Sequence, residues 1–225
     1  MRVTRPLAGK GMRAYGGVDF SSHLDLTALS IAIPYQKKIH LDLYCWIPEA
    51  AYEKKETRNK DQFRQWRREG WLTVHQGEEI DYDLMLDDFK EIKTQYKITE
   101  LASDPWGLAM PAQTLKKSGF KIYKFRQGEQ TMSPAIKDFQ ALVYGKRLKH
   151  YGNPILAWAM NNVRMTQTRS GGFTPDKSKS TDKIDPVIAS VMACALAEQA
   201  QRGIGKSIYS QRGMIIARKK LDEPD

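Results

Sequence analysis

Residues 14–47 read Ala-Tyr-Gly-Gly-Val-Asp-Phe-Ser-Ser-His-Leu-Asp-Leu-Thr-Ala-Leu-Ser-Ile-Ala-Ile-Pro-Tyr-Gln-Lys-Lys-Ile-His-Leu-Asp-Leu-Tyr-Cys-Trp-Ile, and this stretch decides the fold. It divides into three strand-like runs, 14–20, 26–34 and 38–47. The third alternates most cleanly, with Ile39, Leu41, Leu43 and Cys45 set against His40, Asp42, Tyr44 and Trp46. A period of two is that of a strand with one face buried. Pro34-Tyr35-Gln36-Lys37 supplies the turn between the second and third runs. Connections this short leave no room for a crossover, so the three strands are expected to be antiparallel neighbours.

Beyond residue 47 the period changes. Residues 49–69 are polar and helix-prone, with Phe63 and Trp66 on one face and Gly70 as a stop, and 71–74 reads as a short strand. A helix over 81–96 has Leu84, Leu86, Phe89, Ile92 and Tyr96 on its apolar side and acids in its first turn, where the helix dipole favours them. A fourth strand, 98–103, runs into Asp104-Pro105. A helix over 106–118, a strand over 120–125 and a helix opening at Ser133-Pro134 follow, the last with Ile136, Phe139, Leu142 and Val143 inward. Then come a helix at 154–164, a hairpin or loop from Ser170 to Ser180, and a final helix at 183–200 carrying one apolar stripe. Three antiparallel strands followed by strands alternating with helices predict an α/β fold: a mixed central sheet, its later strands parallel, covered by helices on both faces. The expected organisation is a linker or tail over 1–13, one domain over 14–200 and a basic tail over 201–225.

The chain has 225 residues, 41% of them hydrophobic and 28% charged, enough for one domain with its own core. No apolar run is long enough to cross a bilayer, and the basic N-terminus lacks the apolar segment of a signal peptide. The chain is therefore expected in the cytosol of the cell that makes it. Cys45 and Cys194 lie in apolar runs and read as reduced core thiols, and the four scattered histidines give no zinc spacing. A net charge of +10 asks for a polyanionic partner, met through phosphate contacts that carry no sequence preference. The charge gathers at the ends: Arg2, Arg5, Lys10 and Arg13 precede any acid, and six Lys or Arg residues run from Arg202 to Lys220.

Three aspartates stand out by position. Asp19 lies within the first strand, Asp104 ends the fourth, and Asp185 heads the last helix. If the first and fourth strands are neighbours, Asp19 and Asp104 face each other, and a helix N-terminus can bring Asp185 beside them. Hard carboxylates converging in this way suit Mg²⁺ or Mn²⁺, and two such ions are the means of hydrolysing a phosphodiester. The competing reading is structural: Asp-Pro at a helix start is an ordinary cap followed by proline at the first helical position, which accounts for Asp104 and Asp185 without chemistry. Asp19 resists it, because an acid between Val18 and Phe20 is expected to be part-buried and to need a partner.

Gly-Val-Asp-Phe-Ser with two further strands, then Ser-Asp-Pro-Trp, then Asp-Lys-Ile-Asp-Pro-Val-Ile-Ala resembles the nuclease domain of tailed-phage terminase large subunits, over about residues 15 to 200. The resemblance implies a ribonuclease H-like fold in which three acids bind two divalent ions, Mg²⁺ or Mn²⁺, and cut concatemeric double-stranded DNA with little sequence specificity. Carried over, the acids are Asp19, Asp104 and Asp185, with Asp182 either an auxiliary ligand or the helix cap. It also implies partners, namely a terminase ATPase domain, a small terminase subunit and a portal, and the host-cell cytoplasm as the place of action. No Gly-x-x-x-x-Gly-Lys-Ser/Thr phosphate-binding loop occurs, so the chain is expected to be an excised domain or a stand-alone relative without ATPase activity. Lys177, Lys179 and Lys183 precede the third acid; Lys179 is the choice for a phosphate-neutralising role, and a solvated basic loop is the alternative. Arg164, Arg169 and Gly171-Gly172 are candidates for lying along bound DNA, whereas His23 reads as a surface histidine and Trp106 as core. Two other functions stay open: a Holliday-junction resolvase or integrase-type nuclease, and a non-catalytic DNA-binding assembly module.

Overall fold

A computed structural model describes residues 11–20, 25–58, 60–105 and 112–202. The expected linker over 1–10, His23, Trp106 and the basic tail over 203–225 lie outside the described residues. The chain opens with strands β1 (Arg13–Asp19), β2 (Thr27–Tyr35) and β3 (Lys38–Pro48), followed by helices α1 (Glu49–Arg58) and α2 (Lys60–Arg68). It continues through β4 (Leu72–His75), α3 (Tyr82–Gln95), β5 (Lys97–Ser103), α4 (Ala112–Lys117), β6 (Lys121–Lys124) and α5 (Glu129–Tyr144). Then follow β7 (Leu148–Lys149), α6 (Pro154–Asn162), the hairpin β8 (Met165–Gln167) and β9 (Phe173–Pro175), and α7 (Asp185–Gln201).

The main sheet has the order β4-β3-β2-β1-β5-β6, with β7 added against β3. Strands β1, β2 and β3 are antiparallel, while β5 runs parallel to β1 and β6 parallel to β5. This is the mixed sheet expected from the three opening strands and the alternation that follows. Side chains alternate across it, so each face carries its own core. On one face Val18, Leu29, Ile31 and Trp46 meet Met85, Leu86, Phe89 and Ile92 of α3. On the other, Tyr15, Ala28, Ala32, Leu41 and Leu43 meet α5, α6 and α7. Both cysteines are free and buried. Among the described residues no helix is long and apolar enough to cross a membrane.

Helix α7 lies unusually close to the sheet because both surfaces are lined with small residues. Ala28, Ser30 and Ala32 face it from β2, and the Ser30 and Ser190 hydroxyls hydrogen-bond at 2.8 Å. A Cβ built on Gly17 of β1 would stand 2.2 Å from the Ala189 carbonyl oxygen and 2.5 Å from the Ala193 nitrogen, so only glycine fits there. Since α5 and α6 pack on its other side, α7 is buried nearly all round, from Asp185 to Gln199. The single apolar stripe expected from sequence is therefore too narrow: small residues such as Ala189 and Ala193 do the packing on the sheet side.

Several boundaries differ from expectation for identifiable reasons. The run 49–69 forms two helices, because it offers nothing apolar between Tyr52 and Phe63, the residues that anchor each half. Helix α5 begins at Glu129, so Pro134 sits inside it instead of opening it. Val143, expected inward, is 41% exposed. Strand β7, two residues long, leaves no periodic signal.

Candidate metal centre

Strands β1 and β5 are parallel and, after a register shift between Ala14 and Tyr15, paired without a break from Tyr15–Glu100 to Val18–Ser103, so Asp19 and Asp104 follow side by side at the C-terminal ends of the two strands. The third acid is brought there by the close contact between α7 and β1. Ala189 stands over Gly17. Four residues back along the helix is about 6 Å, and two residues on along the strand is about 6.6 Å. Asp185 and Asp19 are those two residues, and they meet.

The first and third acids are deeply buried: Asp19 is 3% exposed and Asp185 5%. Lys177, from the segment after β9, extends its ammonium to both, with Nζ 3.1 Å from Asp19 Oδ2 and 3.1 Å from Asp185 Oδ1. Gln127, between β6 and α5, ties the second acid to the first. Its side-chain amide donates to Asp19 Oδ1 at 2.8 Å, and its backbone N–H donates to Asp104 Oδ2 at 3.2 Å. Burial pushes the Asp19 carboxyl up to about 7; Lys177 opposes that shift, and the neighbouring Asp185 charge adds to it. Burial pulls the Lys177 ammonium down, but Asp19 and Asp185 together outweigh it and hold the lysine above its ordinary value.

Asp185 is the first residue of α7, yet it does not cap the helix. The cap position is Ile184, which makes no side-chain capping bond. Asp182 is not the cap either: its Oδ1 accepts from the Lys183 N–H at 2.8 Å and pairs with the Lys55 ammonium. Lys179 is turned away from the carboxylates, with Nζ 3.3 Å from Asp176 and 3.2 Å from the Thr166 hydroxyl. The cause is the turn at Asp176. Its carboxylate accepts from the Ser178 N–H and hydroxyl and from the Lys179 N–H, while the Ser180 N–H closes on its carbonyl. Those bonds, the Ser178 hydroxyl first, hold the Asp176 carboxyl well below its ordinary value. Within that turn Lys177 and Lys179 point in different directions. An open cleft of about 340 Å³ leads to the group, lined by Phe20, Asp25, Lys183 and Ile184 as well as Lys177 and Asp185.

Among the described residues no three Asp, Glu, His or Cys side chains close on a single point as a finished metal cage. The donor set nonetheless suits a hard cation in kind. Two buried carboxylates already converge on a positive charge, the ammonium of Lys177, and a third is one glutamine away. Carboxylate oxygens without histidine or cysteine favour Mg²⁺ or Mn²⁺ over zinc or copper. Gln127 and the bridging role of Lys177 were not legible in the sequence. Nothing marks a glutamine 108 residues from its partner, and only the direction of the Asp176 turn separates Lys177 from Lys179.

A family model described as "Terminase large subunit, endonuclease domain" matches residues 2–201. The terminase large subunit of Enterobacteria phage HK97 is 28% identical over 186 residues, covering 81% of this chain and 37% of the relative. The crystal structure of the HK97 bacteriophage large terminase superposes with a TM-score of 0.74 at 27% identity, covering 84% of this chain and 41% of that one. The crystal structure of the large terminase nuclease from thermophilic phage G20c with bound magnesium shares the fold, with a TM-score of 0.58 at 14% identity over 87% of this chain and 88% of that one. The chain thus spans about two fifths of the length of the HK97 relative. Its fold is ribonuclease H-like, as the order of its strands implies, and the chain belongs to the family of terminase large subunit endonuclease domains.

Proposed function

We propose that the chain is a divalent-metal-dependent endonuclease that cuts double-stranded DNA, with Asp19, Asp104 and Asp185 as the residues that hold the metal. The observation that carries this reading is the pair of buried carboxylates, Asp19 and Asp185, sharing the ammonium of Lys177, with Lys177 and Asp185 lining an open cleft. Once both acids are ionised, as pH rises through about 7, one counter-charge leaves them one positive charge short. A site short of positive charge and open to solvent is suited to receive a cation. The magnesium-bound relative from phage G20c supports the choice of ion, and Mn²⁺ fits the same oxygen ligands. Two ions held there would supply Lewis-acid stabilisation of the reacting phosphate and acidify the attacking water. Asp19, Asp104 and Asp185 would be the residues that hold them.

The remaining work falls to the chain's own side chains. Gln127 orients Asp19 and Asp104 through hydrogen bonds to both. Lys177 balances the carboxylates in the absence of metal and, being 53% exposed, is free to swing toward a phosphate when that balance is no longer needed. In this reading it takes the phosphate-neutralising role that the sequence suggested for Lys179. Asp182, paired with Lys55, serves as a wall of the cleft rather than a principal ligand. The net charge of +10 supplies affinity for the DNA backbone without sequence preference. As part of a longer large subunit, the chain would act in the host cytoplasm beside an ATPase domain, a small subunit and a portal, on concatemeric viral DNA.

Plasmid nicking tests the reading. The purified chain is incubated with Mn²⁺, Mg²⁺ or EDTA beside Asp19→Asn. Cutting that needs metal and is lost in a folded Asp19→Asn variant is the expected result. If no metal supports cutting and none raises the melting temperature, the chain is a DNA-binding module and the nuclease reading fails.

A further inference from the structure

Non-glycine residues rarely adopt a left-handed backbone, because the Cβ crowds the following carbonyl at a cost of about 1–2 kcal/mol. Among the described residues four do so: Gln36 at φ 48°, Lys37 at φ 61°, Lys146 at φ 54° and Tyr151 at φ 51°. All four lie in one region. Gln36 and Lys37 form the two-residue turn between β2 and β3, where both central positions need positive φ and Asn-Gly is the usual solution. Lys146 occupies the left-handed position after α5, with the Arg147 N–H closing back on the Leu142 carbonyl at 2.8 Å, a place normally filled by glycine. Tyr151 follows β7 and precedes Gly152.

Contacts join these turns into one surface. The Ile39 N–H donates to the Arg147 carbonyl, and His40 pairs across to Lys149. The His40 ring sits 5.9 Å from Tyr35 and 5.7 Å from Tyr151 between ring centres, and its Nδ1 is hydrogen-bonded to the Tyr151 hydroxyl. Lys37, Lys38, Lys146 and Lys149 surround this aromatic group and are exposed. No carboxylate of the described residues forms an ion pair with any of the four. Burial first, then Lys38 and Lys149, holds the His40 imidazole below its ordinary value, while burial and then the Asp42 carboxylate raise the Tyr151 hydroxyl.

The surface is remote from the carboxylates. Asp19 pairs with Ala28, and Tyr35 lies seven residues farther along β2, about 23 Å away. Long donor side chains stand where glycine or asparagine would cost less, and backbone strain of this kind is retained where a side chain has work to do. What these side chains share is hydrogen-bond donation and positive charge: lysine ammoniums, the Gln36 amide and tyrosine hydroxyls. Those are the groups that contact DNA phosphates. A protein partner would be met by an apolar centre depleted in lysine.

We propose that the β2–β3 turn, Lys146, Lys149 and Tyr151 form a second contact for the phosphate backbone of duplex DNA, separate from the cutting site. This rests on the reading of the chain as a protein that acts on DNA. Its purpose is to hold the duplex independently of the metal centre.

The test is the affinity of the whole chain for a fluorescent 30-base-pair duplex in EDTA, measured over a range of salt, for wild type, Lys37→Gly, Lys146→Gly and the double variant Lys38→Gln/Lys149→Gln. Each glycine variant is expected to raise the melting temperature by about 2–4 °C, the relief of strain less the entropy that glycine adds to the unfolded chain, while weakening binding. Effects of opposite sign are something a merely structural role would not produce. The double variant is expected to lower the dependence of log K on log salt by about 1.8. Wild type that binds with unchanged affinity and slope in all three variants overturns the proposal and turns the surface over to an acidic protein partner. Wild type that does not bind DNA at all overturns it together with the reading on which it rests, whereas failure to cut with intact binding touches the cutting site alone.

Discussion

The ammonium of Lys177 stands 3.1 Å from an oxygen of Asp19 and 3.1 Å from an oxygen of Asp185, joining the last residue of the first strand to the first residue of the last helix. In the absence of metal this lysine is what makes the juxtaposition of two buried carboxylates tolerable. Lys177→Met should therefore destabilise the chain in EDTA. Removing one partner of a fully buried pair costs about 3–5 kcal/mol, but the lysine is half-exposed and screened, so about 1–2 kcal/mol is expected. Saturating Mn²⁺ should restore most of the loss. A variant equally destabilised with and without Mn²⁺ would show that metal and lysine do not answer the same charge.

Asp19 sets a pH dependence in the metal-free chain. Its folded value lies near 7, above the 3.8 of an ordinary aspartate, so between about pH 4 and 7 the folded state holds a proton that the unfolded state has lost. The contribution of this group to stability is full below about pH 4 and is lost as pH rises through 7. In EDTA, Asp19→Asn should therefore gain stability relative to wild type as pH rises over this window. Denaturation midpoints that run parallel for the two proteins from pH 4 to 7 would contradict the shift.

Gln127 is expected to act as a positioning residue. Gln127→Leu keeps the volume but removes the bond to Asp19 Oδ1, while the backbone N–H still serves Asp104. Loss of an outer hydrogen bond of this kind weakens metal affinity about 10–100-fold. The Mn²⁺ concentration that gives half the thermal shift should rise by that factor, with little change in the melting temperature in EDTA. A large fall in EDTA with unchanged Mn²⁺ response would assign the residue to packing alone.

Gly17→Ala inserts a methyl group where the backbone of α7 already lies 2.2 Å from the ideal Cβ position. No side chain can yield there, so the helix must move, at a cost of about 3 kcal/mol. Because α7 carries Asp185, the remaining folded protein should also cut less. Urea unfolding at an unaltered midpoint would overturn the account of why this position is glycine.

The sequence disclosed what is periodic or local. Alternation in 38–47 marks β3, and an acid between Val18 and Phe20 marks Asp19 as a residue in need of a partner. The convergence of Asp19 with Asp185 was legible only as an order of motifs, because it depends on the Gly17–Ala189 contact across 172 residues. Lys177 was among the basic residues noticed, but only the hydrogen bonds of the Asp176 turn separate it from Lys179. The start of α5 is not legible because a Ser-Pro pair imitates a helix opening, nor is the exposure of Val143, because its helix outruns the core beneath it. Four left-handed residues were invisible for a plainer reason: their identities, Gln, Lys and Tyr, argue against the conformation they adopt.

The burial of α7 on nearly every side sets how this protein should fail. Amide hydrogens along its central turns should exchange only through global unfolding, since no smaller opening frees a helix held between a sheet and two other helices. Its first residue belongs to the proposed metal centre and the rest belong to the core, so that centre would have no softer mode of loss of its own at that end. Heat or denaturant should abolish metal binding at the same point at which the whole domain melts, with no intermediate that is folded but empty-handed.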